Sequence, residues 1–169
     1  MRRLIGVISV LALLMAATPA MAGGQSAVKE ARQGTAKFHK VSHAEGSGYA
    51  STIDLLGCFE NPGVGGMGLH YLNAGLLDGT VEAGKPEALV YEMRDDGQLK
   101  LVGLEYLVPT ELVDPANPPE LFGRTFHPHP VLPFWIMHAW IWRPNPSGMF
   151  TDWNPSIGLC PDGVPVFGS

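Results

Sequence analysis

The chain has 169 residues, of which 46% are hydrophobic and 16% charged, and its formal net charge is −5. This apolar content excludes an intrinsically disordered chain. The acidic balance argues against nucleic acid and anionic membrane surfaces as partners, because proteins bind both mainly through basic side chains.

Residues 1–22 have the pattern of a secretory signal peptide. Arg2 and Arg3 precede an apolar stretch over residues 4–15, and Ala20-Met21-Ala22 forms a small-x-small cleavage site. Cleavage there leaves residues 23–169 as a single domain, with nine basic against 16 acidic residues. No later apolar run is long enough to span a bilayer. We therefore predict a secreted or periplasmic protein without a membrane span in its mature chain.

The mature chain is expected to begin with a helix over residues 26–43. Apolar or small side chains recur there at three- and four-residue steps, at Val28, Ala31, Thr35 and Phe38. Ser26 is the predicted N-cap. The single apolar stripe predicts that the helix lies on a sheet.

Three segments that follow have the pattern of strands. Residues 67–72 are expected to place Gly68, His70 and Leu72 on one face. Residues 88–93 and 99–108 are separated by Asp96-Gly97, a type I′ hairpin turn signal. A two-residue turn would pair Val90 with Gly103 and Tyr91 with Val102.

In the second hairpin strand, Glu105 falls on the same face as leucines, namely Leu99, Leu101 and Leu107. A carboxylate in such surroundings must be paired, protonated or bound to an ion. The following proline-rich connection, residues 109–133, shows no element pattern and is a candidate lid or binding loop.

Residues 134–143 form the densest hydrophobic run of the mature chain and hold three of the four tryptophans. Pro133 and Pro144 bound the run, which fits one strand. Alternation places one polar residue, His138, among the apolar side chains of one face: Phe134, Ile136, Trp140 and Trp142. Since the other face is apolar as well, we predict a central strand that is covered on both sides.

Cys58 and Cys160 are the two cysteines of the chain. In an oxidising compartment such a pair is expected to form a disulfide. The fold class predicted from all these elements is α+β, with the N-terminal helix packed on a curved antiparallel sheet of four or five strands. The sheet could be cystatin-like or a half-barrel, and a cupin-like β-barrel is the alternative.

Several segments of the chain carry a family resemblance: residues 65–73 (GGMGLHYLN), 85–91 (KPEALVY), 105–106 (EY), 121–123 (LFG), 138–150 (HAWIWRPNPSGMF) and 153–155 (WNP). Together they resemble a family of secreted bacterial proteins, over most of the chain between the leader and Cys160. The resemblance implies export. It brings no activity, because none is assigned to that family.

His70, Glu105 and His138 form the strongest candidate site. Each is a polar side chain on an apolar strand face, and two histidines with one carboxylate suit a divalent metal of the non-haem iron or zinc type. Two other interpretations stay open. The three could be separate core residues satisfied by hydrogen bonds, or a His–Glu pair used without metal for acid–base work or ligand binding.

Other side chains are weaker candidates. His127 and His129 form a closely spaced pair, but no glutamate follows them as in cupins. His39 and His43 are expected to lie on a solvated helix flank. Four methionines near the candidate histidines could favour copper, although scattered methionines more often pack in the core: Met67, Met93, Met137 and Met149. The tryptophans are expected to pack in the core.

The sequence therefore predicts a secreted protein that holds a metal or a small ligand near His70, Glu105 and His138. A metal-dependent enzyme that uses these residues as ligands is the first alternative, and a structural envelope protein without a site is the second. The sequence leaves the metal, the ligand and the oligomeric state open.

Overall fold

A computed structural model describes residues 19–167 of the chain. The predicted signal peptide, residues 1–22, lies outside these residues except for its last four, which belong to the first helix. The helices are α1 (Pro19–Thr35), α2 (Val41–Glu45) and α3 (Ile53–Leu56). The strands are β1 (Ala50–Ser51), β2 (Phe59–Asn61), β3 (Gly65–Leu72), β4 (Ala88–Met93), β5 (Leu99–Pro109), β6 (Glu120–Leu121), β7 (Arg124–Thr125), β8 (His127–Pro128) and β9 (Phe134–Ala139).

The strands form one main antiparallel sheet in the order β1-β3-β4-β5-β9-β8, and β2 adds to β3. The short strands β6 and β7 pair only with each other. The predicted α+β class, with an N-terminal helix and an antiparallel sheet, is confirmed. The barrel alternative is wrong, because the described strands do not close: β1 and β8 lie at opposite ends of the sheet.

The N-terminal helix differs from its predicted bounds. Its described part, Pro19–Thr35, already contains Ser26, so Ser26 is not its N-cap; the Ser26 hydroxyl instead donates to the Gly23 carbonyl one turn back. The helix ends at Thr35, and a 3-10 turn over Ala36–His39 leads into α2. Gly34 lies against Gly84 so closely that a Cβ atom would come 2.3 Å from the Gly84 carbonyl oxygen.

The β4–β5 hairpin has a longer loop than predicted. Gly97 donates to the Arg94 carbonyl and has a φ of +75°, so Asp95, Asp96 and Gly97 form a three-residue loop. This loop pairs Tyr91 with Leu101 and not with Val102. A register shift between Val90 and Tyr91 then restores the predicted pair of Val90 and Gly103.

The same bulge decides which face each β5 residue occupies. Leu101 packs with Leu104 and Tyr106 in the core beneath the helices, so the prediction that Leu99 and Leu101 share a face with Glu105 is wrong. Glu105 and Leu107 lie beyond the bulge and keep their predicted common face, where both line one cavity. A bulge adds one residue to a strand and thereby reverses the alternation on one side of it.

The helical layer covers one face of the sheet. Ala31, Phe38 and Ala44 pack there against a core of sheet residues. Buried tyrosine hydroxyls join the layers: Tyr91 donates to the Phe38 carbonyl and Tyr106 to the Ala83 carbonyl, each at 2.7 Å.

Strand β9 is covered on both sides, as predicted, but it ends at Ala139 and is shorter than expected. Trp140 keeps its predicted face with His138, opposite the helices. The alternation is lost after it: Trp142 packs against the helix-side core and donates to the Thr35 hydroxyl, so its predicted face is wrong.

Residues 153–160 return across the face opposite the helices. Asn154 donates its backbone N–H to Gly66, and Cys160 is joined to Cys58 with 2.07 Å between the sulfur atoms. This is the pairing that the sequence predicts. Among the described helices, none has the length and apolar character needed to cross a membrane.

Candidate metal centre

Three strands deliver the predicted site residues to the face opposite the helices. Glu105 on β5 lies directly opposite His138 on β9, and it lies opposite Ala88 on β4 on its other side. Ala88 in turn pairs with Leu72 on β3, so these four residues form one row across the sheet. Because Ala88 has only a methyl group, His70, two residues before Leu72, can reach Glu105 across β4.

The sheet therefore brings His70, Glu105 and His138 together. Nε2 of His70 lies 3.4 Å from Oε2 of Glu105, and Nε2 of His138 lies 3.6 Å from Oε1. One donor atom from each residue falls within 4.8 Å of the other two. All three residues are at most 6% exposed, which separates this cluster from a solvated patch of charges.

The three side chains do not satisfy one another by hydrogen bonding. Both nitrogen–oxygen separations exceed the 2.7–3.2 Å that is usual for such bonds. In the described part of the chain, Nδ1 of His70 and Nε2 of His138 are buried without a hydrogen-bond partner. Buried polar atoms are rarely left in this state, because each costs about 1–3 kcal/mol. The geometry thus disagrees with the interpretation of three separately satisfied core residues.

The spacing of the donor atoms is near that around a shared ion. Imidazole and carboxylate ligands lie about 2.0–2.2 Å from zinc, so tetrahedral neighbours stand about 3.4 Å apart. The two nitrogen–oxygen separations, 3.4 and 3.6 Å, are close to that value, although they involve different oxygens of Glu105. One donor atom from each residue lies within 4.8 Å of the others, so an ion could be bound once the ligands draw closer together.

Asp152 is a site residue that the sequence did not single out. Its Oδ1 atom accepts from Nδ1 of His138 at 3.2 Å and from Nε2 of His127 at 3.0 Å. A proton on Nδ1 of His138 leaves the lone pair of Nε2 directed away from Asp152, as in carboxylate–histidine–metal arrangements. The sequence offered only a weak signal, a lone carboxylate between aromatic residues in a turn-rich segment.

The paired histidines of residues 127–129 take separate roles. His127 is exposed on the edge strand β8 and contacts Asp152. His129 lines the cavity beside His70 and Glu105, and its Nδ1 accepts two backbone N–H groups, from Val131 at 3.1 Å and Leu132 at 2.9 Å. His127 and His129 therefore do not bind one metal ion together, as the paired histidines of cupins do.

Burial and the neighbouring charges shift the pKa values of the cluster in opposite directions. Burial, with smaller contributions from His138 and His129, lowers the pKa of His70 to about 3. Burial also raises the pKa of Glu105. Burial alone would lower the pKa of His138, but the carboxylates of Glu105 and Asp152 outweigh it and raise this pKa. Hydrogen bonds from His127 and His138 overcome burial and lower the pKa of Asp152.

The remaining candidates lie away from this cluster or only border it. Met67 lines the adjoining cavity, whereas Met137 packs in the core on the helix side of the sheet. His43 is exposed on α2 and contacts the Lys37 carbonyl. His39 packs edge-on against Trp142. The tryptophans of β9 and the following segment pack against the core clusters, as predicted.

Comparison with known proteins identified no relative of this chain. No protein-family model, curated protein or solved structure matches the chain. The resemblance to a family of secreted bacterial proteins therefore remains a prediction from the sequence, and functional inference rests on the geometry of the site.

Proposed function

We propose that this chain is an exported protein that binds one divalent transition-metal ion through His70, Glu105 and His138. The observation that carries the proposal is the convergence of two imidazoles on one buried carboxylate, with donor atoms within 4.8 Å of one another. Nε2 of His138, which faces Glu105, is left without a hydrogen-bond partner. Export is inferred from residues 1–22, and the Cys58–Cys160 bridge supports it, since disulfides persist mainly in oxidising compartments.

The charge of the cluster supports a divalent cation. Glu105 and Asp152 place two carboxylates next to the buried His138. Without metal, a proton on His138 supplies the compensating positive charge, which agrees with its raised pKa. A divalent ion would replace that proton and compensate both carboxylates, so binding should release protons and weaken at low pH.

The ligand types narrow the choice of metal. Imidazole with carboxylate suits zinc and iron, together with cobalt, nickel and manganese, and is unlike the all-oxygen sites of calcium or magnesium. Copper(I) prefers thioethers, and Met67 is the one methionine that lines the cavity within the described residues. The three side chains therefore fit zinc and non-haem iron equally.

The test is elemental analysis of protein purified from the periplasm of a bacterial host without a histidine tag. We expect about one equivalent of metal, or one equivalent of Co²⁺ or Zn²⁺ taken up by chelator-treated protein. His138→Ala and Glu105→Ala should each abolish this uptake. His43→Ala, which changes an exposed histidine on the far face, is the matched control and should leave it unchanged.

A negative result is equally specific. If metal is absent, no ion binds the treated protein and His138→Ala lowers only its stability, the metal proposal is wrong. A structural envelope protein would then be the better description.

A further inference from the structure

A small cavity adjoins the candidate metal centre. Its volume is about 60 Å³, and His70 and Glu105 form part of its wall, whereas His138 lies outside it. An ion held by these three residues would therefore meet the cavity on the side of His70 and Glu105. Three protein ligands leave at least one coordination position of a zinc or iron ion open.

The size and lining of the cavity restrict what can enter it. Sites for drug-sized ligands usually measure about 300–1,000 Å³, so a sugar or an amino acid does not fit here. The volume suffices for a few water-sized groups. Apart from His70, Glu105, His129 and Thr52, the wall is mostly apolar, with Leu56, Phe59, Met67, Leu107, Leu132 and Phe134.

Two of these polar residues have restricted roles. The Thr52 hydroxyl donates to the His70 carbonyl at 3.1 Å and is occupied. His129 receives backbone N–H groups on Nδ1, so the neutral ring carries its proton on Nε2. A nitrogen with a proton cannot bind a metal ion. His129, which lines the cavity, can therefore supply a hydrogen-bond donor but not a fourth ligand.

We propose that the cavity binds an anionic or electron-rich molecule of two or three atoms at the open position of the metal, with Nε2–H of His129 as its hydrogen-bond donor. This inference rests on the proposed metal site and names the ligand class of that site. Larger organic ligands are excluded by the cavity walls, and a neutral apolar molecule would gain nothing from His129.

The probe is sodium azide, added to protein reconstituted with Co²⁺, whose visible absorption reports changes in the coordination of the ion. We expect a saturable spectral change with azide and none with benzoate, which is too large for the cavity. Co²⁺ uptake is measured first by elemental analysis. Failure of uptake overturns the metal site and this inference together, whereas uptake without any azide response overturns this inference alone.

Three variants locate the azide. Leu132→Phe enlarges a side chain of the cavity wall and should abolish the azide response while Co²⁺ still binds. His129→Phe removes the donor and should raise the Kd for azide at least tenfold. His129→Gln restores an N–H group and should recover part of the affinity.

His43→Phe is the control and should bind azide like the unchanged protein. If His129→Phe binds azide as tightly as the unchanged protein, or if benzoate competes with azide, the cavity is not the binding place. His129 is only partly buried, so this variant decides the question even if Leu132→Phe does not fold.

Discussion

Glu105 and His138 are directly opposite residues of the β5–β9 pair, and Oε1 of Glu105 lies 3.6 Å from Nε2 of His138. Directly opposite residues of antiparallel strands have Cβ atoms about 4.5–5.5 Å apart. The backbone ladder therefore holds this acid–imidazole pair in place. His70 joins from β3, and Asp152 fixes the far side of His138.

Asp152 should act on the metal through His138. Asp152→Asn keeps a hydrogen-bond acceptor for Nδ1 but removes the charge, and Asp152→Ala removes both. Because such supporting carboxylates typically change metal affinity by about 10–100-fold, we expect Asn at the lower and Ala at the upper end of that range. Competition with a chromogenic zinc chelator measures the affinity.

Asp162→Asn is the control for this prediction, since Asp162 is exposed near the C-terminus. It should bind zinc normally. Equal affinity of the Asp152 variants and the unchanged protein would show that the contact with His138 does not serve metal binding.

Metal-free protein should lose stability in acid through His70. Burial lowers its pKa to about 3, below the 6.5 of an unperturbed histidine. Between these values the unfolded chain binds a proton that the folded chain does not, so the free energy of unfolding falls as the pH falls. The slope is at most about 1.4 kcal/mol per pH unit. Because the pKa of His138 is raised above 6.5, its protonation changes the free energy of unfolding only at a higher pH than that of His70.

His70→Leu should flatten the pH dependence between about pH 6.5 and pH 3. Urea unfolding in the presence of chelator measures it at several pH values, with the exposed His43→Leu as control. A slope that persists in His70→Leu would assign the acid sensitivity to other groups.

Glu87 should have the opposite dependence on pH. It is 1% exposed, and burial raises its pKa from 4.5 to about 8, although its carboxylate accepts from the Leu107 N–H. Between these values the folded chain keeps a proton that the unfolded chain has lost, so stability falls as the pH rises.

Glu87→Gln removes this linkage and should raise the free energy of unfolding by about 1–4 kcal/mol at pH 8, with little change at pH 4. Chemical unfolding at the two pH values tests this. Glu111→Gln, on a side chain exposed in the 3-10 turn after β5, should change neither value. Destabilisation by Glu87→Gln at both pH values would contradict the prediction.

Two glycines with similar backbone angles should differ in their tolerance of a side chain. Gly68 has a φ of +85°, and a Cβ atom there would lie 2.5 Å from the Tyr91 carbonyl oxygen. Gly97 has a φ of +75° but open space around it. We expect Gly97→Ala to cost about 1 kcal/mol and Gly68→Ala about 3 kcal/mol or more. Thermal and urea unfolding compare the two, and equal costs would show that the contact with β4 is unimportant.

Sequence reasoning found the class of fold and all three candidate ligands. Each was visible as a polar residue on an apolar strand, and the disulfide followed from the cysteine count. The register near Glu105 was correct because a three-residue hairpin loop and a bulge shift it in opposite directions. Alternation alone could not reveal this cancellation, so the neighbours of Glu105 at Leu99 and Leu101 were assigned to the wrong face.

Asp152 could not be predicted for a different reason. It reaches His138 from an irregular segment, where no period links sequence position to direction. The predicted helix end was also wrong, because the apolar period that runs on from Thr35 to Phe38 does not distinguish an α-helix from the 3-10 turn over Ala36–His39. The position of Asp152 thus depends on long-range packing, which the local sequence pattern does not encode.

The covalent bridge between Cys58 and Cys160 has one more consequence. It encloses a ring in which His70, Glu105, His138 and Asp152 all lie. A protease that nicks the exposed connection between β5 and β9 would therefore produce two fragments that stay attached to each other. Each fragment keeps its place in the sheet through the ladder, so a clipped molecule can retain its four site residues as one unit.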